Sequence, residues 1–320
     1  MKLLTIRSGD ASHAGVLVGE NVIDLVVVRR HVPFATCLAQ TVAGLLEHGE
    51  EGLRIIRRVI EFAEDPTSRQ TLKDASAYVP LKDVTLAPVI PDPQIVLCGS
   101  MNSRGHTREM GDELPEYPCA FHKVRSALTA SGAPIVPPPS HGNMIDWEGE
   151  LCVVIGKRCH NVSIDEAQDC IAGYTLMNDI SAREFVGPFV TAVGAAPTAQ
   201  AWERNVLGKN FPTFAPIGPV IVTRDEVSNP LTYHIETLVN GEVMQSSTHE
   251  DLVFGPAEMI SYFSKFYIFE PGDIISMGSP PGVGMARKPP RFLKPGDEVV
   301  VRVKEIGELI NRVVVPANIR

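Results

Sequence analysis

Three prolines fall within six residues, at Pro88, Pro91 and Pro93, in the stretch Ala-Pro-Val-Ile-Pro-Asp-Pro-Gln that ends at Gln94. Each proline fixes its own φ and lacks an amide donor, so neither a helix nor a central strand runs through this stretch. It reads as a stiff, extended connector between two parts of the chain, with the boundary near residue 90. A small N-terminal domain over 1–90 and a larger domain over 91–320 are expected, since 320 residues exceed the roughly 100–200 of an ordinary single domain. The chain holds 26 Gly and 26 Pro, a content that favours many turns and few long helices, hence a β-rich fold.

Periodicity supports this division. Leu3–Ile6, Val16–Val18 and Val22–Leu25 read as short strands, and 39–64 as two amphipathic helices, with Leu53, Ile56 and Ile60 on one face. Beyond the connector, Ile-Val-Leu-Cys-Gly-Ser at 95–100 is a buried-strand run. Leu151–Ile155, Ala172–Met177, Val220–Thr223, Val299–Val303 and Leu309–Val315 also read as strands. Alternation from Leu231 to Val239 runs into Asn240-Gly241, a hairpin signal. Helices are expected only at Ser163–Cys170, opened by a Ser163/Glu166 capping box, and at Pro256–Phe266, with Met101–Tyr117 as a loop or helix over a site.

The 38 acidic residues outnumber the 29 basic ones, giving a net charge of −9 that repels a nucleic-acid backbone. No stretch reaches about 18 uninterrupted apolar residues and the N-terminus lacks the pattern of a signal peptide, so no membrane association and a cytoplasmic location are expected. Six cysteines without a Cys-x-x-Cys pair read as reduced packing residues.

In Ile-Asp-Trp-Glu-Gly-Glu-Leu-Cys-Val-Val-Ile, Glu148 and Glu150 are two apart at the start of an apolar strand. Period-two geometry points both carboxylates to one face, with Gly149 opposite. Two like charges side by side call for water, a proton or a cation between them. A solvated strand end and a metal site are both open readings, and the core-type run that follows favours the second. Asp179 ends another apolar strand, and an all-carboxylate set of Glu148, Glu150 and Asp179 suits Mg²⁺ or Mn²⁺, with Ca²⁺ also compatible. His106 and Glu109, at i and i+3, form either a surface helix pair or a general-base dyad. Arg104, Arg108, His122, Lys123 and Arg125 make a local basic cluster suited to an anionic substrate, or simple surface charge balance. Lys209, between glycine and proline turns, is either an ordinary surface lysine or a cation for a developing oxyanion or enolate, and the Gly278-Ser279-Pro280 loop is either a plain turn or a nest whose amides and Ser279 hydroxyl take a carboxylate.

These motifs, in this order from Pro91 to the C-terminus, resemble the fumarylacetoacetate hydrolase family. The family's Glu-x-Glu matches Glu148 and Glu150, its third metal ligand Asp179, its lid dyad His106 and Glu109, and its active-site lysine Lys209. Three positions depart from the family pattern: Ser103 follows Asn102 where the family commonly has Tyr, Val186 replaces a Gln, and Met277-Gly278-Ser279-Pro280 replaces Thr-Gly-Thr-Pro. The resemblance implies an α+β, mostly β fold, a mixed β-roll catalytic domain behind a small N-terminal α/β domain, and a homodimer. It implies a metal-dependent hydrolase of an acylpyruvate-like or other 1,3-dicarbonyl substrate, with His106 activating water, Lys209 steadying an enolate, and Lys123, Arg183 and Ser279 toward substrate. Degradation of aromatic ring-cleavage products or sugar acids is the implied setting. The same enolate without water attack gives decarboxylation or isomerisation of a 2-oxo diacid. A metal-holding protein without catalysis is the remaining alternative.

Overall fold

The computed structural model describes residues 1–317. The chain opens as a meander: β1 (Lys2–Ser8), β2 (Ala11–Val18) and β3 (Asn21–Asp24) pair antiparallel in turn. Helix α1 (Leu25–His31) follows, started by Asp24, whose side chain accepts from the amides of Val26 and Val27. Then come α2 (Val42–Glu47), α3 (Gly49–Glu64) and α4 (Pro66–Asp74), and β4 (Tyr78–Pro80) closes the unit beside β3. Two helices are expected from Leu53, Ile56 and Ile60; α1 and α4 are additional, because their capping aspartates, Asp24 and Asp65, precede weakly periodic segments.

After the proline-rich stretch come β5 (Val96–Ser100), α5 (Arg104–Met110), β6 (Cys119–His122), β7 (Leu128–Ala130), β8 (Pro134–Ile135), β9 (Ile145–Asp146) and β10 (Gly149–Ile155). Next are α6 (Ile164–Gln168), with its Ser163/Glu166 capping box in place, β11 (Ile171–Asn178) and β12 (Ser181–Ala182). Helices α7 (Val186–Thr191) and α8 (Ala195–Leu207) lead into β13 (Ala215–Thr223) and the hairpin β14 (His234–Val239) and β15 (Glu242–Thr248). Helix α9 (Pro256–Phe263), β16 (Ile274–Ser276), β17 (Glu298–Val303) and β18 (Gly307–Val313) complete the described chain. Helix α5 forms within the 101–117 stretch expected as a loop or helix, whereas the expectation of helices elsewhere only at 163–170 and 256–266 is corrected by α7 and α8. The last two arise in an Ala-, Val-, Gly- and Pro-rich stretch that is mostly exposed and carries no apolar stripe to announce it.

An 11-stranded sheet runs β4-β3-β2-β1-β13-β11-β10-β16-β5-β6, with β7 beside β13. Strands from both sides of the proline-rich stretch share it, since β1 pairs with β13 through Lys2–Val222 and Leu3–Ile221. A second sheet, β15-β14-β17-β18-β8, packs against it. With strands outnumbering helices, the fold is α+β and mostly β.

The two sheets meet where β10 begins. All seven β10 residues are buried, and a Cβ on Gly149 would lie 2.1 Å from Thr237 Oγ1 of β14 and 3.0 Å from a Val301 methyl of β17. Only glycine admits this approach. Gly149 thus faces the second sheet, and alternation turns the flanking Glu148 and Glu150 to the opposite side.

Candidate metal centre

β10 and β11 are antiparallel neighbours, with Gly149 opposite Asn178, so the start of one strand and the end of the other bring Glu148, Glu150 and Asp179 together. Oxygens from these three carboxylates lie within 4.8 Å of one another, and the residues are 4%, 2% and 1% exposed. The Glu148 backbone is held on both sides: its amide donates to Asn178 Oδ1 at 3.0 Å, and its carbonyl accepts from the Asp179 amide at 2.8 Å. The solvated strand end, an open reading of Glu-x-Glu, does not describe this pair.

Three buried cations surround the carboxylates. Lys209 Nζ donates to Glu148 Oε2 at 2.5 Å, Asp179 Oδ2 at 2.6 Å and Ser181 Oγ at 2.9 Å, and sits 4.9 Å from the centre of the Phe121 ring. Arg183 forks between Asp146 Oδ2 at 2.9 Å and Glu148 Oε1 at 2.6 Å. Lys123 donates to Asp179 Oδ1 and to the Lys209 carbonyl, its side chain fully enclosed. The substrate-facing expectation for Lys123 and Arg183 thus meets a structure in which both hold carboxylates. Ser279 is also internal: its hydroxyl accepts from Gln245 Nε2 at 2.8 Å, and Gln245 in turn accepts from the Gly149 amide at 2.9 Å.

The carboxylates are not equivalent. Burial disfavours the charge on Glu148, yet Arg183, Lys209 and His106 together hold it well below the usual carboxylate range. Burial, reinforced by the charges of Asp179 and Glu148, pushes Glu150 well above that range, against a hydrogen bond donated by Ser276 Oγ. Four buried carboxylates (Asp146, Glu148, Glu150 and Asp179) thus face three buried cations, and among the described residues Glu150 has no cation in contact. A divalent ion fits this deficit, and a donor set made of oxygen suits a hard one such as Mg²⁺ or Mn²⁺.

Over the centre lies α5. Ser103 caps it, accepting from the His106 amide at 3.0 Å while donating to Asp251 Oδ2 at 2.5 Å. His106 Nδ1 is 3.1 Å from Glu109 Oε2, and its Nε2 is 4.0 Å from Glu148 Oε1, so the dyad reaches the carboxylate cluster. The residues that depart from the family pattern turn inward. Ser103 is a helix cap, Met277 is fully buried, and Val186 opens α7 at 7% exposure. Asn102 binds the Phe254 amide and the carbonyls of Phe254 and Met277. Arg104, Arg108 and Arg125 are exposed and make no ion pair among the described residues.

Asp146, Ser181 and Ser276 are members of the site that sequence reading passes over. Asp146 had a local signal, since 146, 148 and 150 follow one period of two; it also accepts from the Gly284 and Met285 amides at 2.6 and 3.0 Å. Ser276 had none, because only the β10–β16 pairing brings it to Glu150.

A buried carboxylate triad with a His-Glu pair beside it, on a two-sheet mixed β scaffold, is an arrangement that could hold a divalent metal ion. Residues 95–314 match the family described as fumarylacetoacetate (FAA) hydrolase C-terminal. The chain belongs to the fumarylacetoacetate hydrolase family. It is 39% identical over 281 residues to the bovine protein named oxaloacetate tautomerase FAHD2A, mitochondrial, covering 88% of this chain and 82% of the relative. It is 31% identical to oxaloacetate tautomerase YisK of Bacillus subtilis, covering 98% of this chain and 100% of that one. Among solved structures, a putative HpcE protein from Mycobacterium smegmatis superposes with a TM-score of 0.79 at 28% identity, over 99% of this chain and 100% of that one. Maleylpyruvate hydrolase from Sphingobium sp. SYK-6, solved with manganese(II) and pyruvate, gives 0.69 at 26% identity, with the same coverage. Among the described residues, no helix is long and apolar enough to cross a membrane.

Proposed function

We propose that this chain is a divalent-metal-dependent tautomerase that interconverts the keto and enol forms of oxaloacetate or a closely related 2-oxo diacid. The observation that carries the reading is the single relay over the carboxylate cluster, in which His106 Nε2 approaches Glu148 while Nδ1 is held by Glu109. Tautomerisation asks for one group that takes a proton from carbon 3 and returns it to the enol oxygen, or the reverse. The tautomerase names of the relatives from cattle and Bacillus subtilis support the same choice.

Glu148, Glu150 and Asp179 would hold a Mg²⁺ or Mn²⁺ ion, which would supply Lewis-acid polarisation of a bound 2-oxo acid. His106 accepts the carbon-3 proton, and Glu109 fixes the imidazole with Nδ1–H toward itself and Nε2 free. Lys209, an enclosed ammonium whose hold on its proton is strengthened by Asp179 and Glu148 against burial, donates to Glu148, Asp179 and Ser181 and keeps a positive charge beside the place where negative charge would gather. Lys123 and Arg183 fix Asp179 and Glu148. A homodimer in a reducing, cytoplasm-like compartment completes the proposal, in keeping with six free thiols.

Hydrolysis of an acylpyruvate is the second reading, favoured by the likeness to maleylpyruvate hydrolase. The same His106 would then activate water. The test follows the decay of freshly dissolved enol-oxaloacetate by ultraviolet absorbance, with Mg²⁺ and after chelation, beside pyruvate release from an acylpyruvate. Metal-dependent enol decay well above the buffer rate is expected. No acceleration, with rapid pyruvate release instead, overturns the tautomerase reading in favour of hydrolysis.

A further inference from the structure

The carboxylate cluster and the imidazole beside it belong to different parts of the chain, the glutamates to the start of β10 and His106 to the short helix α5. Their separation, 4.0 Å between His106 Nε2 and Glu148 Oε1, is set by whatever fixes α5 relative to β10. One stretch, 245–254, running from within β15 into the loop after it, bonds to both. Gln245 accepts from the Gly149 amide, between the two glutamates, at 2.9 Å. Further along, Asp251 takes hold of the first turn of α5.

Both carboxylate oxygens of Asp251 make that hold. Oδ2 accepts from the Ser103 hydroxyl at 2.5 Å and from the Gly105 amide at 2.9 Å, and Oδ1 lies 3.1 Å from the same amide. Ser103 passes the constraint on, because its Oγ accepts from the His106 amide at 3.0 Å. Amides in the first turn of a helix have no partner within it, and here two of them are anchored through one carboxylate. Glycine at 105 leaves room for the approach: a Cβ there would lie 3.1 Å from Asp251 Oδ2 and 3.0 Å from the Pro281 ring. Backbone bonds continue the seam, with the Val253 amide donating to the Asn102 carbonyl at 2.9 Å. Among the described residues the Asp251 carboxylate has no contact with a cation, so its hydrogen bonds all go to α5 and its cap.

We infer that Asp251 is a positioning residue for the reaction: through Ser103 and the Gly105 amide it sets where α5 places the His106 imidazole relative to the metal carboxylates. This rests on the reading of His106 as the proton-transferring group, which the tautomerase and hydrolase readings share. Asp251 takes no part in the proton transfer itself. His106 lies in the turn that Asp251 holds, so movement of that turn carries Nε2 with it, and a misplacement of about 1 Å costs up to roughly 100-fold in rate.

The test is a double-mutant cycle on kcat for enol-oxaloacetate decay with Mg²⁺, in the parent, Asp251→Ala, His106→Asn and the combined variant. Asp251→Ala is expected to lower kcat by about 10- to 100-fold, with KM and Mg²⁺ affinity within about threefold of the parent. In the His106→Asn background the same substitution should change kcat by less than about twofold, because the group it positions is gone. Asp251→Asn keeps an acceptor for Ser103 and Gly105 and should recover most of the turnover. Hydrogen exchange supplies a readout apart from activity: Asp251→Ala should speed exchange in 104–110 by about tenfold or more and leave β10 and β11 unchanged. Should Asp251→Ala fail to fold, Ser103→Ala cuts the link to the His106 amide and runs the same cycle. Equal losses with and without His106 would make Asp251 a general support of the fold and overturn the inference. Unchanged exchange in 104–110, or faster exchange with kcat intact, overturns it as well. If the parent leaves oxaloacetate untouched and cleaves an acylpyruvate, the tautomerase reading falls, and the same cycle run on pyruvate release judges Asp251. Turnover of neither substrate removes the proposed function and the positioning role together.

Discussion

Glu109 accepts a hydrogen bond from the Gly282 amide at 3.0 Å while also holding His106, so the helix carrying the imidazole is latched to the loop that follows β16. Gly282 has φ of +106°, and a Cβ there would meet the Met244 carbonyl at 2.2 Å, so no other residue fits this end of the latch. Two variants separate the roles of the dyad. His106→Asn is expected to lower kcat by about 10²- to 10⁴-fold while leaving metal affinity unchanged by calorimetry. Glu109→Ala removes both the orientation and the latch, so KM rises along with the fall in kcat. Full turnover in His106→Asn would remove the imidazole from the chemistry.

Glu150→Gln should move two quantities in opposite directions. With its carboxyl pushed well above the ordinary range by burial and by Asp179 and Glu148, the metal-free protein is stabilised below the unfolded value of 4.5 and loses that stability as pH rises through the folded value. Gln mimics the protonated form. Metal-free stability near neutral pH therefore rises by roughly 1–3 kcal/mol in urea titrations, whereas Mg²⁺ or Mn²⁺ affinity drops about 100-fold or more. A fall in both would show that Glu150 is ionised and paired in the metal-free protein.

Lys123 is enclosed between Asp179 and the Lys209 carbonyl. Lys123→Met leaves Asp179 with one cation and the Lys209 carbonyl without this donor. A loss of about 3–5 kcal/mol is expected for breaking a buried pair, read as a lower melting temperature. Added Mg²⁺ should restore part of it by charge compensation at Asp179. A variant as stable as the parent would make Lys123 a bystander.

His249 gives the protein an acid limit. Burial depresses its imidazole to about 4, against a hydrogen bond to the Tyr233 carbonyl, and its Nε2 has no partner. The folded value lies below the unfolded 6.5, so the neutral ring's contribution is complete above 6.5 and is lost as pH falls toward 4. The full difference is roughly 3 kcal/mol. Urea midpoints measured from pH 8 to pH 4 should fall less steeply in His249→Gln than in the parent; parallel curves would assign the acid loss to other groups.

Local signals carried far in this chain. The Ser163/Glu166 box, the Asn240-Gly241 hairpin and the shared face of Glu148 and Glu150 all follow from spacings of two or three residues, and the structure contains each of them. What local spacing does not carry is partner choice across the chain. Lys123 finds Asp179 56 residues away and Ser276 finds Glu150 126 residues away, through strand pairings that no short window encodes. Lys123, expected toward substrate, contacts Asp179 and the Lys209 carbonyl in the structure. Helices α7 and α8 escaped notice for a different reason: with most of their residues exposed, they leave no periodic apolar record in the sequence.

The Ala182 amide donates to the Gly208 carbonyl at 3.0 Å, closing a neck at the base of α7 and α8. Because the chain leaves and rejoins the site at a single hydrogen-bonded crossing, the 186–207 segment behaves as an exchangeable cassette. Its length and side chains can drift, or be grafted from a relative, while Arg183 and Lys209 stay at their posts. A lineage can thus retune what lies beside the metal centre without disturbing the carboxylates that define it.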